Sequence, residues 1–257
     1  MSGDGRDRAI AWRHRVHASV AARVEPWAHG TVVRAPDVPE FYDYNAARVE
    51  GGDPGLDAAA LAAAAEAGLA GLAHRRIEIE DEAAGERLRR DFESMGWVTE
   101  RLVYLHRALP AEEVRPPAGV ELRMEPFERS RALRLAWQGE SIWGDPPEFM
   151  RIEEAVARRR GTRAVVAHAQ GEPAGFAAFT RDGEAMEIDQ LFVLPGRRGG
   201  GMGAALVTCA LAAGHGEGAA EALIEADDEG DARRLYERLG FRPVWRRHIF
   251  TRRPDRG

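Results

Sequence analysis

Apolar and polar residues alternate along the downstream half of the chain with the periods of short strands and amphipathic helices. The first part of the pattern predicts a strand, two helices and a hairpin: Val120 to Met124, Arg129 to Gln138, Pro147 to Arg160, and Ala164 to Ala169 with Ala174 to Thr180. The second part predicts a strand, a glycine-rich loop, and three further elements before a closing strand: Ala185 to Val193, Met202 to Ala213, Glu221 to Ala226, Gly230 to Leu239 and Arg242 to Thr251. This order predicts a mixed α/β sheet with flanking helices rather than a regular βαβ array.

A proline-rich segment separates this half from the residues before it. Leu109 to Gly119 contains three prolines and little periodicity, which is typical of a linker. We therefore predict two domains, over residues 1–110 and 120–252.

The upstream half contains a shorter version of one downstream pattern. Asp91 to Trp97 and Leu235 to Phe241 both read as a helix end, a glycine, an aromatic residue and then a strand, with Phe92 at the position of Tyr236. This likeness predicts a diverged internal duplication. The alternative is two unrelated helices that end at a glycine cap.

Charge excludes several classes of function. The chain of 257 residues has a net charge of -6, which argues against a nucleic-acid binder. Every basic residue other than histidine is an arginine, so neither a Schiff-base lysine nor a Walker A lysine is possible. Arginine runs such as Arg158 to Arg160 and Arg246-Arg247 are expected to be solvated faces.

Other candidate chemistry in the chain is sparse. A single cysteine, Cys209, excludes an internal disulfide, and we expect a cytoplasmic protein without a membrane span. His14 and His17 lie one helical turn apart, but no third ligand is evident, so we expect a solvated helix face and no metal site.

The glycine-rich loop is the strongest candidate site. Arg198-Gly199-Gly200-Gly201-Met202-Gly203 lies between a predicted strand and a predicted helix, where glycines let backbone N–H groups converge on an anion. The helix N-terminus adds donors and a positive dipole end, which suits a pyrophosphate. Gly199 to Ala204 satisfies the dinucleotide fingerprint G-x-G-x-x-A, but only about 50 residues follow, too few for the βα units of such a fold.

The loop and a second motif together resemble the GNAT acetyltransferase superfamily. Arg198-x-x-Gly201-x-Gly203 is similar to the coenzyme A signature of that family. Ala232 followed by Leu235 to Phe241 is similar to its second element, at the expected distance. The resemblance covers residues 120–252 and implies a GNAT-like fold, with the upstream half as a degenerate copy that lacks the loop.

The resemblance implies a role for each motif residue. Acetyl-CoA would be the acyl donor and a small-molecule amine, or a peptide, the acceptor, in direct attack without a covalent enzyme intermediate. Glu187 would act as the base, with Asp189 as the substitute, and Tyr236 would protonate the departing thiolate. Donor binding would fall to the backbone of Leu191, Phe192 and Val193 and to the loop: Arg198, Gly199, Gly200, Gly201, Met202 and Gly203.

Two alternatives and the acceptor pocket stay open. The same fold could serve as a non-catalytic acyl-CoA sensor, or the upstream half could shape the acceptor site of a two-half acyltransferase. Relatives build the acceptor pocket where this chain has the following residues, which could equally be core and loop: Trp137, Glu140, Trp143 and Asp145. Neither the acceptor, the acyl length nor the oligomeric state follows from the sequence.

Overall fold

A computed structural model describes residues 3–112, 114–140 and 146–254 of the chain. The upstream elements, in chain order, are α1 (Gly3–Val20), β1 (Arg23–Trp27), β2 (Gly30–Arg34), β3 (Ala46–Val49), α2 (Ala58–Gly68), β4 (Arg75–Ile79), α3 (Glu82–Ser94) and β5 (Val98–Ala108). The downstream elements are β6 (Val120–Pro126), α4 (Arg131–Glu140), α5 (Pro146–Arg160), β7 (Arg163–Ala169), β8 (Glu172–Asp182), β9 (Ala185–Val193), α6 (Met202–Gly216), β10 (Glu221–Asp227), α7 (Asp231–Arg238) and β11 (Arg242–Arg252).

The chain forms two compact units whose residues are not consecutive. The first unit contains Met1–Tyr104, Ala226–Arg233 and Pro243–Gly257, and the second contains Leu105–Glu225 and Arg234–Arg242. Almost all of β11, the last strand in the chain, therefore belongs to the first unit.

The second unit has a mixed sheet with the strand order β10-β9-β8-β7-β6. Successive strands from β6 to β9 pair antiparallel, whereas β10 pairs parallel to β9 because the helix α6 carries the chain back across the sheet. Phe192 of β9 packs with Phe176 and Phe127 in a core under α4 and α5. Helix α6 also packs on the strands β7, β8 and β9, and its Gly214 leaves room for the side chain of Met186 of β9.

In the first unit the strands β1, β2, β3, β4 and β11 follow one another in the sheet. Here β3 and β4 are the parallel pair, and β11 pairs antiparallel to β4. In the core of this unit, α2, α3 and the sheet pack around large apolar residues, among them Leu61, Ile77, Phe92 and Phe250.

The chain contains the same order of elements twice: a strand, a helix, a strand parallel to the first and a second helix. The order is β3-α2-β4-α3 in the first unit and β9-α6-β10-α7 downstream. The two second helices end alike, because Gly96 and Gly240 both have positive φ angles, 78° and 84°. The amide of Trp97 donates to the Phe92 carbonyl at 3.0 Å, as that of Phe241 does to the Tyr236 carbonyl at 3.1 Å.

Two expectations about exposed charge are wrong. His17 is fully buried rather than on a solvated face of α1, because β3 and β4 supply polar partners beneath it, including Arg48 at 3.2 Å. Arg247 is 1% exposed and pairs with the buried carboxylate of Glu78 at 2.7 Å. Charge runs lie in the interior here because opposite charges from distant segments meet them there.

Candidate active site

The glycine-rich loop presents open backbone at the start of α6. Gly199 and Gly201 have φ angles of 83° and 87°, which favour glycine, and a side chain added at Gly199, Gly200 or Gly201 would meet no atom within 4 Å. No side chain caps the N-terminus of α6. The first N–H groups of this 15-residue helix are therefore available to an anion, as the sequence pattern predicts.

The two arginines of the loop have different surroundings. Arg198 folds back over β9: its Nε donates to the Val193 carbonyl at 2.9 Å and its guanidinium lies 5.5 Å from the centroid of the Phe192 ring. Arg197 contacts Gln170 at 3.3 Å and lines a cleft of about 250 Å³ that also borders Gly200 and Met202. Arg198 thus fixes the base of the loop, and Arg197 supplies positive charge at its open side.

The strand before the loop loses one of its neighbours halfway along. β9 pairs with β8 as far as Val193, but its pairing with β10 covers only Ala185 to Ile188. A bulge at Asp189, the extra residue between Ile188 opposite Phe179 and Gln190 opposite Ala178, marks the change. Backbone N–H groups of the last residues of β9 that point away from β8 therefore have no ladder partner from β10.

The two candidate carboxylates of β9 share one arginine. Glu187 and Asp189 lie 3.3 Å and 2.6 Å from the guanidinium of Arg160, and Thr180 donates to Asp189 at 2.5 Å. The carboxylates therefore lie together, as their spacing predicts, but Arg160 is a paired residue at the end of α5 and not part of a solvated run. Sequence reasoning missed it because Arg160 and β9 are far apart in the chain.

Tyr236 is held at the C-terminal half of α7. It is 5% exposed, packs edge-to-face against Phe241 with ring centroids 6.2 Å apart, and burial raises the pKa of its hydroxyl to about 12. Leu235, beside it, lies close enough to Gly203 that an added Cβ there would be 3.4 Å away. The phenol therefore stays protonated at neutral pH and belongs to a helix that packs on the start of α6.

A buried polar group under α4 and α5 was not expected from the sequence. Gln190 of β9 donates to Glu153 of α5 at 2.5 Å, and Glu153 and Glu154 both accept hydrogen bonds from Arg134 of α4. Beside it, Trp137 stacks on Phe192 with centroids 6.1 Å apart. A usable signal existed, because Glu153 and Arg160 are seven residues apart and so lie on one side of α5.

Four residues were candidates for the acceptor pocket, and the described residues include the side chain of one of them. Trp143 and Asp145 lie outside the described residues, and of Glu140 only the backbone, at the end of α4, is described. Trp137 is therefore the member of that group that the structure places, next to Phe192.

The loop of the first unit that follows β3 differs from the glycine-rich loop in charge. Residues 50–57 contain three glycines but no arginine, and Asp57 caps α2 by accepting from the Ala60 amide at 2.9 Å. A carboxylate thus takes the place that an anion would need at this helix N-terminus. The degenerate copy is chemically unsuited to a pyrophosphate.

His14 has neighbours that could ligate a metal. One atom each from His14, Glu50 and Glu80 lies within 4.8 Å of the others. These atoms already have protein partners, since His14 and Glu80 are 2.5 Å apart and Glu50 pairs with Arg48 at 3.0 Å. We interpret the group as an ion-pair network of the first unit.

The fold and the uncapped, glycine-lined loop together define an α/β protein with an anion-binding loop at a helix N-terminus. Residues 124–241 match the model of the Acetyltransferase (GNAT) family, so this part of the chain is a GNAT acetyltransferase domain. None of the curated proteins matches the chain.

Solved structures share the fold over most of the chain. A GCN5-related N-acetyltransferase from Kribbella flavida has a TM-score of 0.68 at 19% identity, with 98% of this chain and 96% of that one covered. A functionally unknown conserved protein from Staphylococcus epidermidis has a TM-score of 0.73 at 14% identity, with 91% and 95% covered. A tandem GNAT protein from the clavulanic acid biosynthesis pathway has a TM-score of 0.52 at 18% identity, with 82% and 75% covered.

These likenesses confirm the predicted fold class, a GNAT-like mixed sheet with flanking helices in two related halves. Within the residues that the structure describes, no helix has the length and apolar character needed to cross a membrane.

Proposed function

We propose that the protein is an N-acetyltransferase that moves the acetyl group of acetyl-CoA to the amine of a small molecule or a peptide. Membership of residues 124–241 in the GNAT family supports acyl transfer in general. The observation that carries the proposal is the glycine-rich loop at the uncapped N-terminus of α6, directly after the half-unpaired strand β9.

The donor would lie along β9 and over the loop. The N–H groups of Gly199, Gly200, Gly201, Met202 and Gly203 would receive the pyrophosphate, with Arg198 holding the loop to β9. The pantetheine arm would pair with the backbone of Leu191, Phe192 and Val193, where β10 no longer does. An N–H group there would polarise the thioester carbonyl.

The reaction needs one base and one acid. The acceptor nitrogen attacks the thioester carbon, the new N–C bond forms and the C–S bond breaks. Glu187 would take the surplus amine proton through a water molecule, and Tyr236 would donate its hydroxyl proton to the leaving thiolate and regain one from solvent. The raised pKa of Tyr236, about 12, keeps its hydroxyl protonated at neutral pH, so that it can donate a hydrogen bond to the thiolate as the C–S bond breaks.

The test is release of coenzyme A thiol from acetyl-CoA across a panel of amines, with the Tyr236→Phe variant beside the wild type. We expect turnover by the wild type and a loss of kcat of about 100-fold in the variant, in the range of general acid catalysis. The dissociation constant of acetyl-CoA should change by less than about two-fold, because phenylalanine keeps the ring that packs on Phe241.

Tyr44→Phe serves as the matched control, since Tyr44 is a buried tyrosine of the first unit with 4% exposure. It should leave kcat unchanged. Binding of acetyl-CoA without thiol release on any amine would contradict the proposed function and favour a non-catalytic acyl-CoA sensor.

A further inference from the structure

Two residues of helix α5 make polar contacts with strand β9. Arg160 bonds the carboxylates of Glu187 and Asp189, and Glu153, two helical turns earlier in α5, bonds Gln190. Residues nearer the start of α5 therefore contact residues nearer the end of β9. Glu153 therefore lies at the end of this pairing that adjoins Leu191, where the thioester would be held.

Gln190 has one satisfied and one unsatisfied end. Its amide nitrogen donates to Glu153 Oε1 at 2.5 Å, which fixes the orientation of the amide. Its carbonyl oxygen is buried and finds no donor among the described residues. Buried carbonyl oxygens are almost always bonded, so this one is suited to a donor brought by a ligand.

Glu153 offers further acceptor capacity at the same place. Glu153 is 6% exposed. One of its carboxylate oxygens accepts a hydrogen bond from Gln190 and the other accepts one from Arg134, and each oxygen retains a lone pair. Arg134 also bonds Glu154 at 2.8 Å, so two buried carboxylates share one buried guanidinium. Arg131 also pairs with Glu154 at 3.2 Å, which leaves the free lone pairs of Glu153 as the acceptors available at this place. Burial also raises the pKa of Glu153.

We infer that Gln190 and Glu153 bind the reacting amine of the acceptor, Gln190 through its carbonyl oxygen and Glu153 through its carboxylate. The inference rests on the proposed function. A neutral primary amine has two N–H groups and one lone pair. Two acceptors hold the N–H groups before attack, and the lone pair then points at the thioester carbon beside Leu191. Once the N–C bond has formed, the surplus proton leaves through the water molecule to Glu187.

This arrangement separates primary from secondary amines. An N-methyl amine has a single N–H and leaves one of the two acceptors without a donor, which is costly in a buried site. We expect kcat/KM for benzylamine, phenethylamine and propylamine to exceed that for their N-methyl counterparts by about 10- to 100-fold.

The variants Gln190→Leu and Glu153→Gln test the residues themselves. Each should raise KM for the primary amines by about 10-fold or more and reduce the preference over the N-methyl amines, with the dissociation constant of acetyl-CoA unchanged. Glu154→Gln is the matched control, because Glu154 shares Arg134 but bonds Arg131 rather than Gln190. Thermal unfolding of all three proteins reports whether they fold.

A purely structural role predicts a different result. Loss of activity in Gln190→Leu and Glu153→Gln no greater than in Glu154→Gln, or equal use of primary and N-methyl amines by the wild type, would overturn the inference. A wild type that releases no thiol is tested by calorimetric titration of benzylamine, phenethylamine and propylamine into the coenzyme A complex. Binding that Gln190→Leu abolishes would then support the site while the proposed function fails, and the absence of binding would overturn it.

Discussion

Glu78 shows at the scale of one residue how this arginine-rich chain places charge in its interior. The carboxylate is 2% exposed and lies 2.8 Å from Arg13 and 2.7 Å from Arg247. Burial alone would raise the pKa of Glu78, but the guanidinium groups of Arg13 and Arg247 hold it well below its usual value. Arg13 and Arg247 would each lose a buried counter-charge if Glu78 were lost.

We therefore expect Glu78→Gln to lower the free energy of unfolding by about 3 kcal/mol or more, as breaking a buried ion pair does. Urea unfolding followed by circular dichroism measures it. Glu100→Gln is the matched control, because Glu100 lies 3.7 Å from Arg76 with its side chain 43% exposed, and should cost less than about 1 kcal/mol. Equal losses in the two variants would contradict this account.

At the scale of the element, β9, the glycine-rich loop and α6 form one continuous segment of the candidate site. Their boundaries are well predicted by the sequence, since β9 is Ala185–Val193 and α6 begins at Met202 as expected. The end of the β10 pairing at Ile188 was not predicted, because strand register depends on a partner strand more than 30 residues away. The bulge at Asp189, which lies against β8, was not predicted either. Likewise α4 begins at Arg131, after a turn of 3₁₀ helix from Phe127 to Ser130.

The loop depends on left-handed backbone at particular glycines. Gly201→Ala places a side chain at a φ angle of 87° and costs about 1–2 kcal/mol in that conformation. We expect the dissociation constant of acetyl-CoA to rise about 10-fold, as measured by calorimetry. Gly196→Ala, in the same loop but without a positive φ angle and with open space around it, should change the constant by less than two-fold. Similar effects from both substitutions would show that backbone conformation is not what the loop requires.

At the scale of the whole molecule, buried histidines link the stability of the first unit to pH. Burial is the main cause that lowers the pKa of His17 and His248, and it lowers the pKa of His74 to about 4. In the unfolded chain these groups titrate near 6.5. They cost nothing above that pH, and they favour the unfolded chain increasingly as the pH falls from 6.5 toward 4.

We expect the free energy of unfolding to fall between pH 6.5 and pH 4, with about 3 kcal/mol of the fall due to His74. Asp43 does not contribute in this window: burial raises its pKa, but Arg13 and Arg76 bring it to about 2. Urea midpoints at pH 7, 6, 5 and 4 measure the slope. His74→Gln keeps a donor for the Asn45 carbonyl without titrating, so the unfolding free energy of this variant should fall less steeply with pH. An unchanged slope would show that His74 is not a cause of the pH dependence.

The sequence by itself determined the features that depend on neighbouring residues. Local periodicity and turn chemistry determine the order of strands and helices after residue 120, the glycine-rich loop with its arginine, the tyrosine motif and the repeated helix end at Gly96 and Gly240. Tertiary structure alone decided which distant residues meet. It placed β11 with the first unit, buried His17 and Arg247, paired Arg160 with Glu187, and brought Glu153 to Gln190. The physical reason is that burial, register and ion pairing depend on partners supplied by remote segments, which no local pattern encodes.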